Sequence, residues 1–338
     1  MTMFHDVHLE LLVDAYSLPQ AERLAYIDLC IRYLGSISRA EIMAEFKVAQ
    51  AAASKDLALY RELKPDNCCI DTATKRTVIL ADSYTPLIRI GVHTALNLIQ
   101  YGFTRSELMQ KRPMLPIDEV DPLYQPERLK EEQVAAVTRA IKGQCAIRCS
   151  YGSKSGDHRE RILFPSALFV DRKNWYFRAY DRNEEHPQRS GFKNFKLSRL
   201  FDAHLETTIS PTLAEKTDRE WDEEITFIIE FKKNLPKETI NEISREFSIN
   251  GNVHSVTCRA ALACYVKTNW KIDLVNDENN KWLYFDVLNA EALQEVQCLA
   301  PLFEEKKWVS MTSHYLRPSG ALATMRELLP LPSSAVIL

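Results

Sequence analysis

The chain has 338 residues, 46% of them hydrophobic and 26% charged, the balance of an ordinary folded protein rather than a disordered or fibrous one. A length of 338 exceeds one typical hydrophobic core, so two or three domains are expected. The formal net charge of −3 excludes a globally basic nucleic-acid carrier, and no apolar run reaches the roughly 18–20 residues that cross a bilayer. Met1 to Asp14 offers no basic leader segment, and the eight cysteines form no CxxC pair; a cytoplasmic address with reduced thiols is expected, and no membrane partner.

Between Pro19 and Leu34 the residues Leu24, Ile27, Ile31 and Leu34 recur at three- and four-residue steps, which predicts an amphipathic helix stopped by Gly35. Ser38-Arg39-Ala40-Glu41 is a capping box, because the serine hydroxyl and the glutamate carboxylate can satisfy free amides at a helix start. That second helix runs through Ile42, Met43 and Phe46, and a break at Lys47-Val48 leads to a third from Ala49 to Leu63, ended by Pro65 and Asn67. Two strand-like runs, Cys68 to Ile70 and Thr77 to Leu80, are joined by a turn from Asp71 to Arg76. Three helices and a hairpin in this order predict a winged helix-turn-helix.

On the third helix Ala53, Leu57 and Tyr60 share one face and are expected to pack inward. Gln50, Ala51, Ser54 and Lys55 then lie toward the helix start and the opposite face, the part that a recognition helix presents to the major groove. Glutamine can bond adenine in a two-pronged manner, alanine can meet a thymine methyl, and serine and lysine reach bases or phosphates. Arg39, at the start of the second helix, and Lys75 and Arg76, at the wing, complete the DNA-contacting set. The alternative is a solvated face on a small helical bundle. The residues through Leu80 carry a slight acidic excess, so modest affinity per head is expected, with two heads of a homodimer on a palindromic double-stranded site.

From 85 to 142 helical patterns alternate with breaks at Pro113, Pro116, Pro122 and Pro126, and Leu129 to Ile141 reads as one helix; this connector is expected to carry dimer contacts. The character changes at Cys145. Strand-like segments follow at Cys145–Tyr151, Arg161–Phe164, Ala167–Val170, Trp175–Tyr180 and Phe192–Leu197, which suggests a strongly bent β-barrel or sheet. Ile141 to Leu200 holds thirteen basic residues against six acidic ones, the most basic block of the chain, and arginines beside aromatics suit phosphates and stacked bases. After a polar stretch from Thr207 to Asp222, Ile225–Phe231 reads as a strand and Lys237–Phe247 as a helix of a third, α+β domain.

Catalytic chemistry is not in view. No Walker motif, GxGxxG, HExxH or nucleophile elbow occurs, and Gly152-Ser-Lys-Ser-Gly156 places lysine where an elbow needs its nucleophile. Cys145 and Cys149 lack a second ligand pair for zinc, and Cys149 with His158 lacks an orienting acid. A non-enzyme with no metal or cofactor is expected.

Phe46-Lys-Val48 through Ser54-Lys-Asp56-Leu57 resembles the helix-turn-helix of DeoR-like and WYL regulators. Trp175-Tyr176-Phe177-Arg178-Ala179-Tyr180-Asp181 resembles the WYL tripeptide and its usual sequel, and Phe195-Lys196-Leu197-Ser198-Arg199-Leu200 resembles the second signature of that family. The Arg-Ala-Tyr-Asp and Leu-Ser-Arg variants are most similar to repressors of phage-defence operons, the CapW and BrxR group. Lys193 stands where the family usually places an arginine, and Ser166 where the related repressors tend to have histidine.

The resemblance implies an α+β multidomain protein: a winged helix-turn-helix over 1–84, a helical linker over 85–142, an Sm-like β-barrel WYL domain over 143–208 and a WCX-type C-terminal domain over 222–338. It also implies a nucleic-acid or nucleotide effector in a pocket formed by Tyr151, Ser153, Arg161, Tyr176, Arg178, Lys193 and Arg199. Trp175 and Phe177 are expected in the core, whereas Tyr176 and Arg178 alternate to the other face; Tyr151 can instead be core, and Arg199 an ion-pair partner. The function implied is a homodimeric, ligand-responsive repressor of an inverted-repeat operator. An RNA- or single-strand-binding accessory protein acting through the barrel is the alternative, and a regulatory subunit of a nuclease or helicase a third.

Overall fold

The computed structural model describes residues 9–104, 128–152, 159–172, 174–275, 277, 280 and 282–303. The chain divides into two compact units, Met1–Asp218 and Arg219–Leu338.

The first unit opens with α1 (Leu9–Ala15) and α2 (Leu18–Leu29). The helix predicted to Leu34 does continue, but its last turn, Cys30–Leu34, widens into a π-helix before Gly35 ends it at φ 79°, a left-handed backbone that favours glycine. After the two-residue strand β1 (Ser36–Ile37) comes α3 (Arg39–Phe46), with both halves of the Ser38–Glu41 capping box formed. Lys47, also left-handed at φ 52°, makes the break, and α4 runs Gln50–Leu63. The wing is β2 (Cys68–Ile70) and β3 (Thr77–Ile79), and the sheet order β1-β3-β2 includes the short β1 that the sequence reading missed, since two residues carry no alternation to read. Leu24, Ile27, Ile37, Ala53, Leu57 and Tyr60 fill this core, so the inward face expected of the third helix is the buried one.

The helices α5 (Val92–Tyr101) and α6 (Glu131–Gly143) follow; the intervening prolines lie outside the described residues. Five strands form the second sheet: β4 (Ala146–Tyr151), β5 (Glu160–Asp171), β6 (Asn174–Arg182), β7 (Gly191–Lys196) and β8 (Leu200–Glu206). The two short strands expected between Arg161 and Val170 are one long strand bent by an irregularity between Pro165 and Ala167, and β8 is an element that the sequence reading did not separate. The order β7-β6-β5-β4-β8 leaves β7 and β8 as edges, so among the described residues the sheet is open and no closed barrel is formed.

A single core joins the two halves of this unit. Leu29 and Tyr33 from the end of α2, Leu96 and Leu98 from α5, Val134 and Val137 from α6, and Ile147, Leu163, Phe177 and Phe195 from the sheet belong to one buried cluster. Polar bonds reinforce the joint: Arg32 Nε donates to Glu131 at 2.9 Å, and Arg139 Nε donates to the Arg32 carbonyl at 2.7 Å. Thr138 Oγ1 donates to the Tyr33 carbonyl across the same seam. The helix α6, expected within a connector, is thus the element on which both halves pack.

The second unit is a four-stranded sheet of order β10-β9-β12-β11 with helices α9 (Lys237–Glu246) and α10 (Ala263–Asn269). Its strands are β9 (Glu224–Phe231), β10 (Val253–Arg259), β11 (Ile272–Asp273) and β12 (Phe285–Val287); only the β11–β12 pair is parallel. Single-turn helices flank the strands: α7 (Leu213–Lys216) at the end of the first unit, and α8 (Arg219–Asp222) before β9 and α11 (Ala290–Leu293) after β12 in the second. Buried Lys232 is held between Asp273 and Asp286 in its interior.

Candidate nucleic-acid interface and sheet pocket

The recognition helix is seated by groups on its inner side. Asp56, 1% exposed, accepts from Arg23 Nε at 2.6 Å and from Gln20 Nε2 at 3.0 Å, which ties α4 to α2 by a charge-assisted bond. Tyr60 Oη donates to Asp28 Oδ1 at 2.7 Å, and Tyr84 Oη donates to the same oxygen at 3.0 Å. Asp28 Oδ2 accepts from the backbone amides of Leu87 and Ile88 at 3.0 and 3.3 Å. Burial pushes this carboxyl up to about 6 although four donors converge on it. One buried acid therefore fastens α4 to the segment that leaves the winged helix. Asp28 did not stand out in the sequence, because an acid inside a helical pattern reads as solvated, whereas Asp56 entered only as part of the helix-turn-helix resemblance. A cavity of about 190 Å³ opens beside Asp28, with Arg32, Tyr84 and Glu131 in its wall.

With its inner side so fixed, α4 turns Gln50, Ala51 and Lys55 to solvent, all three exposed, with Ser54 half-buried at their edge. Exposed Arg39, from α3, reaches Ser54 Oγ at 3.4 Å, so the four candidates on α4 and Arg39 form one surface. Lys75 is exposed at the wing turn, which Asp71 organises by accepting from the Ala73 amide at 3.0 Å. Arg76 departs from the expectation. Its guanidinium turns back from the wing, donating to both Glu41 oxygens at 2.7 and 3.0 Å and to Ser36 Oγ at 2.9 Å. The carboxylate of the capping box neutralises it; burial pushes Glu41 up, but the Ser38 bonds and then the Arg76 guanidinium outweigh it and hold the carboxyl below the usual carboxylate range.

The six described residues of the expected sheet pocket separate into two faces. On the face that packs on α6, Asp181 is fully buried and gathers three cations: Arg161 at 2.6 Å, Lys193 at 2.9 Å and Arg159 at 3.1 Å. Tyr151, 9% exposed, lies on this side with its ring edge to Phe195, Arg161 5.9 Å from its centroid, and its hydroxyl accepting from the Lys196 amide at 2.9 Å; Arg199 lies beside that hydroxyl. Tyr176 and Arg178 point to the other face, as alternation requires. Tyr176 stacks on Phe169 at 5.2 Å. Arg178 is no open ligand group: it is 3% exposed and forks onto Asp218, with bonds of 2.6 and 3.0 Å. Ser153 lies outside the described residues. The six described ones do not converge on one point, since a sheet one residue thick stands between the two groups.

Comparisons with known proteins match two parts of the first unit. The BrxR transcriptional regulator winged helix-turn-helix domain matches residues 19–100, and the WYL domain matches residues 132–205, a span that takes in α6. The chain thus carries a BrxR-type winged helix-turn-helix followed by a WYL domain. Over most of its length it is similar to proteins named DNA-binding transcriptional repressor CapW: 26% identical to that of Stenotrophomonas maltophilia over 73% of this chain and 81% of the relative. The proteins of that name from Escherichia coli and Pseudomonas aeruginosa are also 26% identical, with the same shares covered. None of these names is that of an enzyme. Among solved structures, the proteasome accessory factor PafBC of Arthrobacter aurescens superposes with a TM-score of 0.23 at 15% identity over 82% of this chain and 47% of its own. A CRISPR Cas-related protein gives 0.31 at 11% identity over 94% of this chain and 89% of its own, and neither value carries weight for the fold.

Proposed function

We propose that the protein is a homodimeric transcriptional repressor of the CapW type that binds an inverted-repeat operator, controls a phage-defence operon in the cytoplasm, and responds to an anionic effector at its WYL domain. The observation that carries this reading is the surface made by Arg39, Gln50, Ala51 and Lys55: a helix start whose inner side is tied down by Asp56 and Tyr60 and whose outer side is polar and exposed. The names of the relatives support the repressor reading, and the matched winged helix domain supports the DNA partner. Residues 222–338 are taken as a WCX-type extension and the open sheet as a variant of the Sm-like barrel; the second compact unit, beginning at Arg219, is in keeping with the former.

The route from effector to operator follows from the shared core. An effector that prefers one arrangement of the sheet acts on α6, and α6 grips the π-turn at the end of α2 through Arg32 and Tyr33. From there Asp28 reaches Tyr60 on the recognition helix. Gel-shift titration with a palindromic promoter fragment tests the reading. Specific retardation by a dimer is expected, lost when Ser54 and Lys55 are both replaced by alanine while dimerisation persists. A monomer without sequence preference at moderate salt overturns it.

A further inference from the structure

The face of the WYL sheet turned away from α6 carries Tyr176, Arg178, Tyr180 and Arg182 at alternate positions of β6. Arg178 lies 5.6 Å from the Phe192 ring and Arg182 4.6 Å from the Phe164 ring. Forked cations about 13 Å apart along a strand, interleaved with aromatic rings, are the layout that follows a phosphate chain and stacks its bases. Here the face is covered by the chain itself. After β8, residues 207–218 cross it, and the covering groups are carboxylates: Glu215 accepts from Arg182 Nε and Nη2 at 2.6 Å each, and Asp218 takes both bonds from Arg178.

The composition of this cover marks it as replaceable. Between 207 and 218 only Glu215 and Asp218 are buried, Leu213 is 81% exposed, and the apolar contribution is half-buried Pro211 and half-buried Ile209, the latter packed on Ala146, Ile162 and Phe164. The helix α7 spans four residues, too short to stand alone, and Glu215 also caps it by accepting from the Thr212 amide at 2.7 Å. A segment held chiefly by two Arg–carboxylate forks, with Arg182 Nη2 also donating to the Ser210 carbonyl at 3.2 Å, can be exchanged for any partner presenting the same paired oxygens, and phosphate does so. We propose that residues 209–218 are an acidic latch, and that a chain of phosphates displaces Glu215 and Asp218 from Arg182 and Arg178, freeing the tether that leads into the second unit. This rests on the reading of the WYL domain as the sensor of an anionic effector, and adds that the unliganded protein occupies that site itself.

Two probes separate the sources of phosphate: a ten-residue oligothymidylate and inorganic tripolyphosphate. In the full chain, tryptic cleavage after exposed Lys216 reports the latch without any substitution. Either probe is expected to speed it about fivefold at fixed ionic strength, with sodium sulfate of equal ionic strength without effect. Glu215→Gln with Asp218→Asn is expected to bind the active probe about tenfold more tightly than the wild type. Adding Arg178→Lys and Arg182→Lys, which keep charge but lose the fork, is expected to abolish that gain. Probe binding that leaves cleavage after Lys216 unchanged or slower overturns the latch while the effector reading stands. Binding of neither probe by wild type or variant overturns both, and operator retardation, measured separately, tells whether the repressor reading survives. An effect of tripolyphosphate without oligothymidylate supports the latch and assigns it to a free polyphosphate.

Discussion

The winged helix and the WYL sheet handle their charges in opposite ways. The winged helix carries slightly more acid than base through Leu80, yet Arg39, Lys55 and Lys75 stand exposed and form no salt bridge among the described residues. The sheet region has more than twice as many basic as acidic residues from Ile141 to Leu200, yet Arg159, Arg161, Arg178, Arg182 and Lys193 are all engaged by Asp181, Asp218 or Glu215. Charge available to a partner is therefore set by where the carboxylates lie, not by the local count. Two of the three acids that matter come from beyond the basic block, and the third is the aspartate that closes the WYL signature.

The largest effect that can break this contrast is on stability. Arg178→Met leaves Asp218 buried without its cation, and a loss of about 3–5 kcal/mol is expected in chemical denaturation. Arg178→Met with Asp218→Leu is expected to recover most of it, since a well-packed apolar pair replaces a buried ion pair at little cost. A single change that costs under about 1 kcal/mol would show that the pair is as solvated as the winged helix cations.

Next comes the buried acid beneath the recognition helix. Its folded value of about 6 exceeds the ordinary 3.8, so the native state holds the proton more tightly than the unfolded chain does. The Asp28 contribution to stability is then greatest below about pH 4 and falls as pH rises through 6, by on the order of 2–3 kcal/mol. Asp28→Asn is expected to flatten that part of the pH–stability curve; an unchanged slope would mean that the four donors fully offset burial.

Smaller still is the expected effect of Lys55→Ala, which leaves thermal stability within about 0.5 kcal/mol but weakens operator binding by about 1–2 kcal/mol. The slope of log affinity against log salt is expected to fall by about one per head. Arg76→Ala sharpens the contrast, because its guanidinium already faces Glu41: destabilisation without a change of salt slope is expected, and a lower slope would place it on the DNA after all. Ser38→Ala removes half of the capping box and is expected to cost about 1 kcal/mol in denaturation, with operator specificity retained.

Periodicity and caps settled the helices and the hairpin of the winged helix. Apolar steps from Leu24 to Leu34, the box at Ser38–Glu41 and the paired strands after Asn67 are local signals, and local hydrogen bonds and one-sided burial suffice to make them helices and a hairpin. Alternation along β6 likewise placed Phe177 inside and Tyr176 on the opposite face. What the linear order could not supply is who meets whom across long separations. Arg178 finds Asp218 forty residues away, Tyr60 finds Asp28 thirty-two residues back, and the π-turn at Arg32 meets Glu131 nearly a hundred residues on. Those meetings depend on how sheets and helices pack, and they decide which cations face a ligand. Residue type fixed the chemistry at each position, but only the packed chain could fix its partner, because a charge is neutralised by proximity in space and not along the backbone.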